Sequence, residues 1–222
     1  MHSGARLRVD DLLAGSVWEW IVASSIAFDS PSEPNVVWIT EVVDCLRKSF
    51  YARTRGREVA GFSEAMPIVS GASLHRVVEE AVQRFLGDRA SVEVPVEHYV
   101  PEADVTIRGR ADVVVELDRR AVFEIKTTTR NGNDARPLPQ HIMQLQFYLN
   151  ALKVDTGAIV FVTPERIRVF PVARDPKVME SIEHRAAVLS YCLRKQKAPK
   201  REVRPYYCNA CPYRFTCLGT RV

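Results

Sequence analysis

The sequence predicts an α/β domain, with a mixed central sheet flanked by helices. Three observations predict it. Gly109 to Thr129 (GRADVVVELDRRAVFEIKTTT) holds two apolar-rich runs joined at Asp118-Arg119, the pattern of a tight strand pair. Ala158–Val162 and Arg166–Val172 repeat that pattern near a turn at Pro164-Glu165. Between and around these runs lie segments with helical period: from Ser73 to Leu86, Leu138 to Lys153 and Asp175 to Arg194.

In chain order, Asp10 can cap a first helix reaching about Phe28 and carrying Trp18, Trp20 and Ile21. Pro31 and Pro34 break it. Val36–Ile39 is a short apolar piece, and Thr40 is placed to cap the next helix, which holds Cys45 to Tyr51 and runs on to Gly56. Gly71-Ala-Ser73 is expected to open another helix, capped by Ser73. Its apolar face is Leu74, Val77, Val78, Ala81 and Phe85, and His75 and Glu79 share one side. Val92 to Tyr99 alternates like a strand, and Pro95 marks it as an edge or a bulge. Pro139 and Pro176 each suit a first helical turn, the second behind an Asp175 cap. Lys195 to Arg204 reads as a basic linker.

Composition narrows the functional classes. The chain has 222 residues, enough for one large domain or one domain with an appendage, and 46% of them are apolar. A real core can therefore be buried, and wholesale disorder is excluded. The net charge of +4 permits a polyanionic partner without requiring one. No stretch reaches the roughly 20 uninterrupted apolar residues of a membrane span. Val17 to Phe28 comes nearest, but Glu19 interrupts it, and it lacks the basic flank and cleavage site of a signal peptide. A cytoplasmic protein is expected. Five cysteines, an odd number, argue against a disulfide framework there.

The strand pair carries the candidate chemistry. If Asp112 lies opposite Glu124, then Glu116 faces Arg120, and Arg110, Asp112, Val114 and Glu116 share a face with Lys126, Glu124, Val122 and Arg120. The other face, with Ala111, Val113, Val115 and Leu117 against Ile125, Phe123 and Ala121, is wholly apolar and belongs in a core. This register gathers two carboxylates and a lysine at the open end of the hairpin. That set suits phosphodiester hydrolysis. Asp112, Glu124 and the Ile125 carbonyl offer hard oxygen ligands for Mg²⁺ or Mn²⁺, and Lys126 can hold the attacking water or stabilise developing charge. His75 is either a further ligand or a structural histidine. Gln144 and Tyr148, one turn apart, can contact a phosphate or the water; Tyr148 alone would read as core packing. Arg47, Lys48, Arg53, Arg55 and Arg57 form the most basic local run, read either as a solvated helix face or as a phosphate-contacting one.

Cys208, Cys211 and Cys217 form a compact triplet, with Cys45 far upstream as a fourth thiolate. A four-sulfur site of this kind holds zinc or an iron–sulfur cluster, and spacing does not decide between them. Cys192 falls in an apolar helical pattern and reads as a buried thiol.

Taken in order, these motifs resemble one family, the CRISPR-associated RecB-like exonucleases, fourth in the Cas naming series. They are Cys45-Leu-Arg-Lys-Ser-Phe-Tyr51, Gly71-x3-His75, Gly109-Arg-Ala-Asp112, Glu124-Ile-Lys126, Gln144-x3-Tyr148 and the terminal cysteine triplet. The resemblance runs from Cys45 to Cys217; Ala111 stands where the family's label has proline, and the first forty residues match nothing in it. It implies a restriction-endonuclease-like PD-(D/E)XK core with an iron–sulfur subdomain built from both ends of the chain. The cluster would be 4Fe-4S rather than 2Fe-2S, on Cys45, Cys208, Cys211 and Cys217. It implies His75, Asp112, Glu124 and the Ile125 carbonyl as Mn²⁺ or Mg²⁺ ligands, Lys126 as the catalytic lysine, and Gln144 and Tyr148 as accessory residues. Expected domains are 1–60, helical with the first cluster cysteine; 61–195, the nuclease core; and 196–222, the basic linker and cysteine-rich segment. Arg47, Lys48, Arg53 and Arg55 are expected to contact DNA. The implied activity is exonucleolytic cleavage of single-stranded DNA, usually from the 5′ end, in CRISPR spacer processing beside the integrase. A homo-oligomer stays open. A RecB-like nuclease of recombination or repair, or a metal-stapled DNA-binding module with an idle centre, are the rival readings.

Overall fold

A computed structural model describes residues 31–56, 62–127, 136–163, 165–202, 208–209 and 211–219. The expected first helix and the Arg130–Asp134 loop lie outside the described residues. Among the described residues, six strands form one mixed sheet: β1 (Val36–Trp38), β2 (Ala90–Val100), β3 (Val105–Glu116), β4 (Arg120–Thr127), β5 (Thr156–Val162) and β6 (Ile167–Ala173). The α-helices among the described residues are α1 (Ile39–Val43), α2 (Leu46–Arg55), α3 (Phe62–Leu86), α4 (Pro139–Ala151), α5 (Pro176–Arg194) and α6 (Arg214–Leu218). No helix among the described residues is long and apolar enough to cross a membrane.

The path β1-β3-β4-β5-β6 runs through hydrogen-bonded neighbours, and β2 pairs β3 off that path. The β3–β4 hairpin has the expected register, with Val113 opposite Phe123, Val114 opposite Val122 and Glu116 opposite Arg120. β2 lines one edge of β3 from Val105 to Val115. The other edge is shared. β1 pairs in parallel with Thr106–Arg108, and β4 pairs with Val113–Glu116. Between them, Gly109–Asp112 has no strand partner on that edge among the described residues. β4 meanwhile continues to Thr127, paired in parallel with β5. The hairpin therefore splays at its open end, where the sequence places its acids.

Both sheet faces are covered. The larger core joins α1, α2, α4 and α5 to Val37, Ile107, Val114, Val122 and Ile159. The smaller sets Leu74, Val78, Val82 and Leu86 of α3 against Val113, Val115, Ile125 and Val162. Side chains two apart on a strand share a face, yet Ala111 lies in the larger core and Val113 in the smaller. β2 does the same, with Val92 in the smaller core and Val94 in the larger. Both strands roll over at one place, where Asp112 stands across from Glu93. Glu93 has a φ of 51°, the left-handed region that a side chain makes costly. The expectation that Ala111 shares a core with Val113 is thereby corrected. Leu117, expected in the same core, is 53% exposed because the strand has already ended.

Three helix expectations also change. α3 begins at Phe62, so Ser73 lies inside it and caps nothing. Its inward stripe is Leu74, Val78, Val82 and Leu86, all half-buried, while Val77, Ala81 and Phe85 face outward. Thr40 sits inside α1, whose start is closed by the Glu41 carboxylate accepting from the Trp38 N–H at 2.8 Å. The single helix expected through Cys45 is two, broken at Asp44, and Cys45 is the N-cap of α2. The Asp175 cap is present, accepting from the Lys177 N–H at 3.0 Å, with Pro176 in the first turn. Pro139 likewise opens α4.

Candidate active site

Asp112 fills the open edge of β3. Its Oδ2 accepts from the Ile125 N–H at 2.6 Å, bridging the splayed strands, and the residue is 5% exposed. Glu124, 1% exposed, projects from β4 beside it. The Lys126 ammonium lies 2.5 Å from Glu124 Oε1 and donates to Gln144 Oε1 at 3.1 Å. Gln144 Nε2 in turn donates to the Tyr148 hydroxyl at 3.3 Å. Lys126 is thus held between a strand carboxylate and a helix amide, which fixes its ammonium beside Glu124. Glu124 Oε2 is buried without a hydrogen-bond partner. A carboxylate oxygen in that state is costly unless a cation meets it.

His75 reaches this group from α3. Its Nε2 lies 3.2 Å from Asp112 Oδ2 and 3.4 Å from Glu79 Oε1. Two close approaches set the helix and strand positions. The Thr127 hydroxyl donates to the Gly71 carbonyl at 3.0 Å, and a Cβ on Gly71 would stand 3.2 Å from that hydroxyl oxygen. Glycine lets α3 lie against the end of β4, and His75 follows one turn on. At Gly109 a Cβ would stand 2.7 Å from Tyr148 Cε1 and 2.9 Å from Ile39 Cγ2. Gly109→Ala is therefore expected to push Tyr148 off β3 and loosen its chain to Lys126. Destabilisation of about 1–3 kcal/mol is expected, the usual cost of an overpacked core. Urea unfolding, read beside the cleavage rate, checks it.

The electrostatics match a cation-binding centre. Burial pushes the Glu124 carboxyl up to about 7, against the pull of Lys126 and with Asp112 repulsion added. Glu79 is also raised to about 7, by burial and the nearby Glu93 and Asp112, with His75 opposing. Burial alone would lower His75, but Asp112, Glu79 and Glu124 together hold it above its ordinary value. Burial, with Glu124 next, keeps the Tyr148 phenol protonated at any ordinary pH. His141, on α4, is pushed down to about 4 by burial and the Lys126 charge, so its imidazole is neutral.

Asp112, Glu124, Lys126, Gln144, Tyr148 and His75 converge, and the Ile125 backbone lies between the two acids. Glu79, Glu93 and His141 neighbour these groups as well, and no motif spacing marks Glu93 or His141. For Glu79 a signal existed, since it lies one turn from His75 on α3. The basic run does not join the site in the same way. Arg53 is turned inward, its side chain 6% exposed; it pairs with Glu41 at 3.2 Å and donates to the Glu33 and Val36 carbonyls. Those contacts hold the start of the described chain against α2. Arg47 donates to the Pro199 carbonyl and the Tyr51 hydroxyl, Lys48 pairs with Asp44, and Arg55 lies over the Tyr51 ring.

All five cysteines are free thiols. Cys192 is buried in the larger core, as expected. Burial pushes the Cys45 thiol up. The segments carrying Cys45 and the triplet do meet. The Tyr213 hydroxyl donates to the Gly56 carbonyl at 2.7 Å, its ring lies 5.8 Å from that of Tyr51, and Glu202 accepts from the Leu46 N–H. Cys211 and Cys217 pack against the larger core. The thiols are not gathered into a compact group, however. Among the described residues, the one set of three such side chains within mutual metal-ligand reach is His75, Glu79 and Asp112. Thiols do not attract one another, and what gathers them is a metal between them.

Fold and site together define a class, enzymes that handle phosphodiesters with paired acids and a lysine on a split sheet edge. The PD-(D/E)XK nuclease superfamily pattern matches residues 31–218, and the chain belongs to that superfamily. It is 28% identical over 140 residues to the CRISPR-associated exonuclease Cas4 of Saccharolobus solfataricus, spanning 63% of this chain and 69% of that protein. In structure it is similar to SSO0001, with a TM-score of 0.69, 23% identity, and 95% of this chain and 100% of that one covered. It also resembles the alkaline exonuclease LHK-Exo of Laribacter hongkongensis, with a TM-score of 0.52, 14% identity, and 80% and 93% coverage.

Proposed function

We propose that this protein is a divalent-metal-dependent deoxyribonuclease, an exonuclease acting on single-stranded DNA from the 5′ end in the processing of new CRISPR spacers. The carrying observation is the buried Asp112–Glu124 pair, with one Glu124 oxygen unpartnered and Lys126 fixed beside it. The DNA substrate and the CRISPR setting rest on similarity to an exonuclease of that name.

Hard carboxylate oxygens with one imidazole suit Mn²⁺ or Mg²⁺. Asp112, Glu124, the Ile125 carbonyl and His75 would hold the ion. Bound there, such an ion would supply neutralisation of phosphate charge and activation of the attacking water. The chain's own groups do the rest. Lys126 places a fixed positive charge where negative charge develops on the phosphoryl oxygens. Gln144 keeps that ammonium from swinging away, and Tyr148 holds Gln144. The neutral His141 beside Lys126 adds no competing charge. With every expected acid and the lysine in place, the idle-centre reading has no residue in its favour.

A 4Fe-4S cluster on Cys45, Cys208, Cys211 and Cys217 belongs to the same proposal, as a clasp between the two ends of the chain. The docking of Tyr213 and Glu202 onto α2 supports it. Integrase proteins are the proposed partners. The test uses protein purified without oxygen and single-stranded DNA labelled at either end, with a circular strand as control. Manganese-dependent loss of nucleotides from the 5′ label, none from circles, and a brown colour that bleaches on reduction are expected. Cutting of circles at the same rate would exclude the exonuclease, and a colourless zinc protein would exclude the cluster.

A further inference from the structure

We propose that His141 builds a phosphate subsite one step beyond the cleavage centre, where its Nε2–H donates to a non-bridging oxygen of the phosphate next to the one being cut. The inference rests on the nuclease reading of that centre and adds to it a contact with the flanking strand. Three features carry it. First, α4 carries His141, Gln144 and Tyr148 at spacings of three and four residues, so their side chains form one stripe along the helix. Tyr148 and Gln144 are already tied to the centre, Gln144 through its 3.1 Å contact with the Lys126 ammonium. His141 is the next group in that line, about 5 Å further along the helix axis, a step on the scale of one nucleotide.

The sheet fixes where the ring lies. Lys126 on β4 stands beside Phe161 on β5, and the His141 ring centroid is 5.8 Å from that of Phe161. The imidazole therefore sits over the strand next to Lys126, close enough for the ammonium charge to act on it. The third feature is the tautomer. The Leu138 N–H donates to His141 Nδ1 at 3.4 Å, which takes Nδ1 as an acceptor and leaves the one proton of the neutral ring on Nε2. Burial and the Lys126 charge keep the ring neutral and so preserve that arrangement. His141 is half-buried, and its Nε2 has no hydrogen-bond partner among the described residues. A fixed neutral donor is thus held beside a fixed cation, and a phosphate oxygen is the acceptor that cleavage chemistry brings there. Lys126 meets charge that develops as the bond breaks. A contact to the flanking phosphate is the same before and during that step, so its loss appears in KM and not in kcat.

The test follows the first cut in single-stranded DNA by the full chain in Mn²⁺. One substrate is an ordinary oligonucleotide. The other carries a single methylphosphonate beside the first bond cleaved, which replaces one non-bridging oxygen by a methyl group. His141→Asn keeps an acceptor in the place of Nδ1 and loses the donor, whereas His141→Gln carries an amide nitrogen near the place of Nε2. His141→Asn is expected to raise KM about tenfold, the usual worth of a hydrogen bond to a charged group, with kcat within about twofold. His141→Gln is expected to recover most of that loss. The methylphosphonate is expected to raise the wild-type KM by a similar factor and to add nothing in His141→Asn. Thermal melting of each variant separates a lost contact from a lost fold. A wild-type KM in His141→Asn, an equal methylphosphonate penalty in both proteins, or failure of His141→Gln alone would leave His141 as a helix cap. Each of these overturns the subsite while the nuclease centre stands. A loss confined to kcat would place His141 in the cleavage step and overturn it as well. If wild type cuts no DNA in Mn²⁺, the nuclease reading falls and the subsite with it.

Discussion

Lys126→Ala is expected to cut the rate of metal-dependent DNA degradation by about a thousandfold, the scale seen when a fixed charge-stabilising donor is removed from an active site. Lys126 cannot be replaced by a neighbour, since its ammonium spans Glu124 and Gln144 across two elements. The substitution also strips Glu124 of its counter-charge while leaving it 1% exposed. Steady-state kinetics should show the loss in kcat rather than KM, because the ammonium acts on charge that exists only as the bond breaks. Retention of more than a tenth of the wild-type kcat would remove Lys126 from the chemistry.

Glu124→Gln is expected to abolish cleavage and yet make the metal-free protein more stable at pH 8. The sign follows from the shift. Burial raises the Glu124 carboxyl from 4.5 to about 7 in the folded chain, so folding favours its protonated form. Relative to acid pH, stability is lost as pH rises from about 4.5 through about 7, where the folded chain must hold a buried charge. The amide carries no such charge. Wild type without metal should therefore lose melting temperature between pH 5.5 and 8, by roughly 5 °C from this residue. Glu124→Gln should lose less, with a slope not fully flat because Glu79, also raised to about 7, remains. Added Mn²⁺ should restore wild type at pH 8 and do little for the variant. Equal slopes for the two proteins would show that Glu124 is not the buried acid described.

Much of this centre was legible because it depends on local rules. The hairpin register followed from two-residue alternation and the opposite-charge pair Glu116–Arg120, which the structure contains at 2.8 Å. The Asp175 cap and the two first-turn prolines are short-range chemistry. What escaped the sequence depends on tertiary contact. The rollover at Glu93 and Asp112 arises where β2 and β3 pass between two cores, and alternation alone carries no sign of it. The face of α3 was misread because Val77 and Phe85 are as apolar as Val82 and Leu86, and only the sheet beneath decides which pair is buried. Arg53 looked free in a basic run, but Glu41, twelve residues away, folds back to claim it. Glu79 had its spacing from His75, yet its burial comes from the sheet packed against α3, where Glu93 and Asp112 lie near it.

The central claim is that the carboxylates at the split edge, with a divalent cation, cut DNA. The most direct measurement incubates end-labelled single-stranded DNA with wild-type protein and Asp112→Asn, in Mn²⁺ or in EDTA. The account predicts degradation by wild type in Mn²⁺ and in no other lane. Degradation in EDTA, or undiminished degradation by Asp112→Asn, would contradict it.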